Sequence, residues 1–282
     1  KPYQVLYKSN SSKLIDFSSM KYQFFHLTGS DKPTSFFYDG GSSLFPIEKE
    51  NKIIKKDFDT NYHTSSTFTD PLGDDFFMVG GYGQYTYKNN IRKYDFDQDQ
   101  WKNMELTVDD TFSYRNSAII THFDEKSVLI YGTAGNKYGH QKYGKNKLND
   151  LWKFDIKKET LTKLKENVFP ISEIPDNGLI QAVYAKDKLF FISLEDKFNK
   201  NNKNFLNIWT ITINDTNQAI LKETLPIKFD LVSSSLRYDE NNNMLTFLQK
   251  DIVDDKTYIY TSSILLPLYK NLNVSEPQKI IL

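Results

Sequence analysis

Short apolar runs separated by polar turns set the rhythm of this chain. Phe36-Phe37-Tyr38, Phe76-Phe77-Met78-Val79, Val128-Leu129-Ile130-Tyr131, Leu189-Phe190-Phe191-Ile192 and Met244-Leu245-Thr246-Phe247-Leu248 are the clearest. Continuous apolar runs of this length, bounded by turn residues, predict strands buried on both faces. No segment sustains a 3.6-residue apolar period with caps, which argues against a helical architecture.

The runs belong to a larger repeat. Three of them end in small residues: Gly40-Gly41, Gly80-Gly81 and Gly132-Thr133. Ser193 and Gln249 occupy the equivalent place after the last two, and the five positions recur at intervals of 40 to 61 residues. Glycine there suits a sharp exit from a crowded sheet. Downstream, Asn89-Asn90-Ile91-Arg92-Lys93-Tyr94-Asp95 aligns without gaps on Asn149-Asp150-Leu151-Trp152-Lys153-Phe154-Asp155, 60 residues later. Trp101 and Leu161 follow as apolar anchors, and Asn207-Ile208-Trp209-Thr210-Ile211 is a weaker third copy with Trp209 in the place of Trp152. Asp95 and Asp155 fall where the strand must turn, a position in which Asp bonds the backbone. Upstream lie Thr64–Thr67, Asn116–Ala118 and Ser233–Ser235, small residues that suit an innermost strand near a crowded axis. The predicted order is therefore a small-residue strand, an apolar strand, an aromatic-Asp strand and an outer strand.

The Gly-Gly after an apolar run, with the downstream Tyr/Phe-Asp and Trp, resembles the kelch repeat. The resemblance is clearest over residues 62–164. It implies an all-β fold, a kelch-type β-propeller of four-stranded antiparallel blades in one domain spanning residues 1–282. Blades are expected at 29–60, 61–110, 111–170, 176–228 and 229–282. Residues 1–28, with strand-like runs at Tyr3–Tyr7, Lys13–Phe17 and Tyr22–Leu27, are expected to form a sixth, completed by Pro277–Leu282. Dividing the chain by about 47 residues per blade also gives six, with five as the alternative.

Composition narrows the chemistry. With 36 basic and 36 acidic side chains the chain is formally neutral, which gives no reason to expect a nucleic acid as partner. Cysteine is absent, so disulfides and thiolate chemistry are excluded. No stretch reaches the ~20 apolar residues that span a bilayer. The chain begins at Lys1, as a processed or excised piece would, and is expected to be exported to the periplasm or cell surface of a bacterium, with one domain of a longer surface protein as a further reading.

Candidate chemistry lies in the loops after the apolar strands: Thr133–Leu148, Glu195–Phe205 and Tyr82–Asn90. Tyr138, His140, Lys142 and Tyr143 interleave aromatic and basic groups, and Tyr82, Tyr85 and Tyr87 offer similar chemistry from the preceding blade. Such a mixture stacks on a sugar ring or clasps a peptide, because a rigid Tyr ring carries a polar tip. Arg115 enters the small-residue strand where many kelch repeats carry Arg, and is expected to face the channel mouth and bind a carboxylate; Arg237 is its distant echo. Other motifs fall away. Asp95-Phe96-Asp97-Gln98-Asp99 fails as a calcium loop because its sixth position is Gln100 and its twelfth Leu106. His26, His63, His122 and His140 form no close pair, and no nucleotide or nucleophile motif occurs, so no cofactor is expected.

The functional expectation is a non-enzymatic module that binds a protein or glycan through one end of the propeller. The alternative is a sugar-modifying enzyme of the sialic-acid mutarotase type, with Arg115 and Glu195 as acting groups. The resemblance also reaches copper radical oxidases, but these need a Tyr cross-linked to Cys and this chain has none.

Overall fold

The computed structural model describes residues 23–26, 35–38, 44–46, 62–98, 100–169, 181–195, 204–213, 221–227, 230–231, 236–253, 256–266, 273–274 and 278–280. These form an all-β fold in which four successive sheets are arranged as blades of a β-propeller, preceded by a three-stranded sheet. Sheet 1 joins Gln23–His26, Ser35–Tyr38 and Leu44–Pro46. Sheet 2 runs Ser66–Thr69, Phe76–Val79, Ile91–Asp95, Gln100–Asn103 from its first strand outward. Sheet 3 has Ser127–Asn136 and Asn146–Asp155 at its centre and Thr160–Lys165 outside. Its other edge is shared by Tyr114–Asn116 and Ile119–Asp124. Sheet 4 runs Gln181–Ala185, Lys188–Glu195, Asn204–Thr212, Leu221–Ile227. Sheet 5 centres on Met244–Val253 and Lys256–Leu265.

The strand order anticipated from the repeat is the observed one. The central strands are buried on both faces, which is why they read as continuous apolar runs. Val128 and Ile130 pack against Phe77, Val79 and Ile91 of sheet 2. Leu129 and Tyr131, pointing the other way, pack against Leu189, Phe191 and Trp209 of sheet 4. Phe190 and Ile192 then meet Leu245 and Phe247 of sheet 5. The core is thus a series of layers between sheets.

The repeat also survives as geometry. Trp152 lies opposite Ile130, and Trp209 lies opposite Phe191. Each indole meets the edge of a Phe in the connection from the preceding sheet: Phe112 to Trp152 at 5.1 Å and Phe169 to Trp209 at 5.6 Å. Asn149 anchors the second connection, accepting the Phe169 N–H at 2.9 Å and donating to the Phe169 carbonyl at 2.5 Å. Asp95 accepts the backbone N–H groups of Asp97 and Gln98, and Asp155 that of Lys158, so both serve the predicted turns.

Several boundaries move. Gln23–His26 pairs with Ser35–Tyr38 and so belongs to sheet 1 instead of a separate sixth blade. Gln278–Ile280 pairs with Thr257–Ile259 and belongs to sheet 5. Thr107–Val108, placed in the 61–110 blade by sequence, pairs in parallel with Thr160–Leu161 of sheet 3. The runs Tyr3–Tyr7 and Lys13–Phe17, the pair Gly40-Gly41 and Ser233–Ser235 lie outside the described residues.

The glycine signature now has a cause. Gly80 adopts φ +61°, and a Cβ on it would lie 2.4 Å from the Arg115 carbonyl oxygen. At Gly132 the strand runs on without a sharp exit and the constraint is space, a Cβ there lying 2.5 Å from the Leu148 carbonyl oxygen; in sheets 4 and 5 the corresponding strands run on through Ser193 and Gln249. Both polar side chains are buried and hydrogen-bonded, Ser193 accepting from the Trp209 indole and Gln249 donating to Ser262.

Candidate functional site

One end of sheets 2 and 3 carries a frame built from two hairpins. The first, Tyr82–Gly83 with Thr86–Tyr87, closes through Gln84 (φ 47°) and Tyr85 (φ 66°). Two consecutive left-handed residues mark the type I′ turn, which ordinarily selects Asn and Gly. The second hairpin revises the expected loop Thr133–Leu148. Its arms stay paired from Tyr131–Leu151 out to Gly135–Asn146, with a bulge between Tyr131 and Thr133. Only the tip is irregular, and it holds a single 3₁₀ turn at Gln141–Tyr143.

Backbone hydrogen bonds lock the two hairpins together. Tyr87 N–H donates to the Gly139 carbonyl at 2.6 Å, and Gln141 N–H donates to the Tyr85 carbonyl at 2.9 Å. The Tyr82 hydroxyl donates to Gln141 Oε1. His140 caps the 3₁₀ turn: its Nδ1 accepts the Lys142 N–H at 3.1 Å, which requires the proton to sit on Nε2 when the ring is neutral. Asn136 closes the tip by donating to the His140 and Gly144 carbonyls. Gly139 has φ +78°, and the Tyr114 ring lies against it where a Cβ would stand.

The predicted loop residues are therefore brought together, in two roles. Tyr85, Tyr138 and Tyr143 are 65%, 57% and 50% exposed. The Tyr138 and Tyr143 rings lie 4.6 Å apart, tilted by 43°. The ammonium of Lys137 stands 4.9 Å from the Tyr138 ring and that of Lys142 stands 4.9 Å from the Tyr143 ring. Tyr82 and Tyr87 instead support the frame, with rings 5.0 Å apart. Burial, and then the neighbouring Tyr82, push the Tyr87 phenol pKa up.

Arg115 departs from the channel-mouth expectation. Its side chain is fully buried. Nη1 and Nη2 donate to the two carboxylate oxygens of Asp150 at 3.1 and 2.8 Å, and Nε donates to the Ser113 carbonyl. The guanidinium also stacks 3.8 Å from the Phe112 ring centroid. Burial pulls its pKa down, against the pull of Asp150 in the other direction. The carboxylate Arg115 grips is thus internal, and its backbone does further work: Arg115 N–H donates to Lys88 and its carbonyl accepts from Gly81. Arg237 donates to the adjacent Leu236 carbonyl. Glu195 ends a strand of sheet 4, paired with Phe205, while residues 196–203 lie outside the described residues.

Lys137 and Gln141 lie within the candidate loop read from the sequence, whereas Tyr114 and Asp150 were not given a role there. Asp150 was in principle visible, because it aligns with Asn90 in the repeat and breaks the match with a charge. A recess of about 490 Å³ opens near it, lined by Lys145, Lys147, Glu166 and Asn167 among others. Among the described residues no group of three or more His, Asp or Glu side chains is placed to hold a metal ion. No protein-family model and no curated protein matches the chain. Among the described residues no helix is long and apolar enough to cross a membrane.

Proposed function

We propose that this chain is a non-catalytic binding module whose recognition surface is the hairpin pair carrying Tyr85, Tyr138 and Tyr143. The observation that carries the reading is Tyr85. An exposed Tyr occupies a left-handed turn position that favours Gly, and such a position costs a non-Gly residue about 1–2 kcal/mol. A ring held at that cost, in a frame locked by its neighbours, is a preorganised contact group. The kelch type and the count of six blades belong to this proposal. A sixth blade would draw on residues 1–22, since Gln23–His26 and Gln278–Ile280 have other partners. Export to the periplasm or cell surface of a bacterium goes with a ligand met outside the cell. The enzyme reading loses its acting Arg, because Arg115 is committed to Asp150.

A glycan and peptide array probed with the wild-type protein and with a Tyr138→Ala/Tyr143→Ala double variant tests the reading. Selective capture by the wild type, lost in the variant, is the expected result. Capture that survives the double substitution, or turnover of a captured sugar, would overturn it.

A further inference from the structure

We infer that the hairpin surface takes an anionic polysaccharide, with pyranose rings resting on Tyr138 and Tyr143 and acid groups meeting Lys137 and Lys142. The inference rests on the binding reading above and assigns its ligand class.

Charge is the first argument. The protein is formally neutral, yet residues 80–90 and 132–149, which hold both hairpins, contain no Asp or Glu. The tip of the second hairpin carries Lys137, Lys142 and Lys145. Lysines of the neighbouring strands and turns find acids: Lys93 pairs with Asp75 at 2.7 Å, Lys102 with Asp95 at 2.5 Å, and Lys163 with both Asp110 and Glu166. Lys137 and Lys142 instead lie beside tyrosine faces. Two ammonium groups held beside the exposed rings give the hairpin tip a local positive field attractive to an acidic ligand.

Shape and backbone chemistry select among polyanions. A peptide captured by strand addition needs open main-chain donors and acceptors. Here the facing groups of the two hairpins bond each other, through Tyr87 to Gly139 and Gln141 to Tyr85. What remains outward is side-chain surface: ring faces with polar tips, flanked by ammonium groups. The apolar C–H face of a pyranose fits a Tyr ring, and a ring carboxylate or sulfate fits a neighbouring ammonium. Half-exposed rings on a projecting tip suit internal units of a chain lying across them better than a terminal sugar enclosed in a cleft.

Titration calorimetry with a galacturonate hexamer, a heparin hexasaccharide and an alginate hexamer tests this. At least one acidic oligomer is expected to bind, about fivefold more weakly when salt rises from about 50 to about 300 mM. Fully methyl-esterified galacturonate hexamer, which keeps the rings and removes the charge, controls for simple stacking. Lys137→Ala/Lys142→Ala is expected to abolish acidic-oligomer binding with the melting temperature unchanged, since both side chains are exposed. Equal affinity for the ester would overturn the anionic assignment while leaving the binding reading intact. A glutamate hexapeptide or a thymidylate hexamer binding as tightly as the best sugar would overturn the glycan assignment. No binding to any acidic oligomer would overturn the inference, and selective array capture would then still support the binding reading.

Discussion

Arg115 and Asp150 form a bidentate ion pair next to the paired hairpins, with the Arg side chain fully excluded from solvent. The Asp150 carboxylate also accepts the Trp152 indole N–H at 2.7 Å, so the pair joins the start of sheet 3 to its central Trp. Removing one partner strands the other charge in the interior, which costs about 3–5 kcal/mol. Arg115→Ala is expected to lose stability of that order in urea denaturation. Arg115→Lys should recover little, because an ammonium lacks the planar fork.

The close approach of the second hairpin to the strand Tyr114–Asn116 gives a sharper backbone test. A Cβ at Gly135 would lie 1.9 Å from the Tyr114 carbonyl oxygen, so the strands must part to admit it. Gly135→Ala is expected to destabilise the protein by about 1–3 kcal/mol, the range of overpacking. Gly144, with nothing within 4 Å of an added Cβ, adopts φ +86°, so Gly144→Ala should cost only the backbone strain. Thermal melts of the two variants separate clash from strain.

Tyr85 supplies the converse prediction. Tyr85→Gly relieves a left-handed side chain and should raise stability by up to about 1 kcal/mol. The same change should weaken binding of any ligand that uses the exposed ring. A variant that gains melting temperature and loses affinity is the expected outcome; parallel loss of both would show that Tyr85 is structural.

Asn149 holds the connection between sheets 3 and 4 through Phe169 and also accepts the Tyr131 hydroxyl. Burial, and then the nearby Asp150, raise the Tyr131 phenol pKa. The folded state therefore keeps Tyr131 protonated where the unfolded chain ionises. Stability from this group is complete below the ordinary phenol value of about 10 and is lost as pH rises beyond it. Alkaline unfolding followed at the phenolate absorbance should begin above that value, and Tyr131→Phe should flatten the limb while losing the Asn149 bond.

The acidic limb has the opposite sign. Hydrogen bonds from Lys102 and then Gln98 lower the Asp95 pKa, and those from Lys163 and then Thr111 lower that of Asp110. Their contributions are present above the ordinary aspartate value of about 3.9 and fade as pH falls through the lowered folded values. Denaturation midpoints measured below pH 4 should fall less steeply for Asp95→Asn than for the wild type.

The strand order was legible in the chain because burial on both faces forces continuous apolar runs, and turns demand Asp and Gly at fixed offsets. Ile91 and Leu151 lie 60 residues apart in sequence and occupy equivalent layers in space. The gathering of Tyr82, Tyr85, Tyr87, Tyr138, His140, Lys142 and Tyr143 was also foreseeable in kind, since equivalent loops of successive blades emerge at one end. Other features depended on tertiary contacts that carry no local pattern. Arg115 was expected to meet a ligand, but a charged residue after Tyr114 reads the same whether its carboxylate is Asp150 or a stranger's. The division of the tyrosines into exposed and supporting rings follows from backbone bonds between two hairpins, and no spacing along one chain encodes those. Sequence determined the strands and their order through burial and turn chemistry; the folded structure alone decided which charges neutralise each other inside and which are left to face outward.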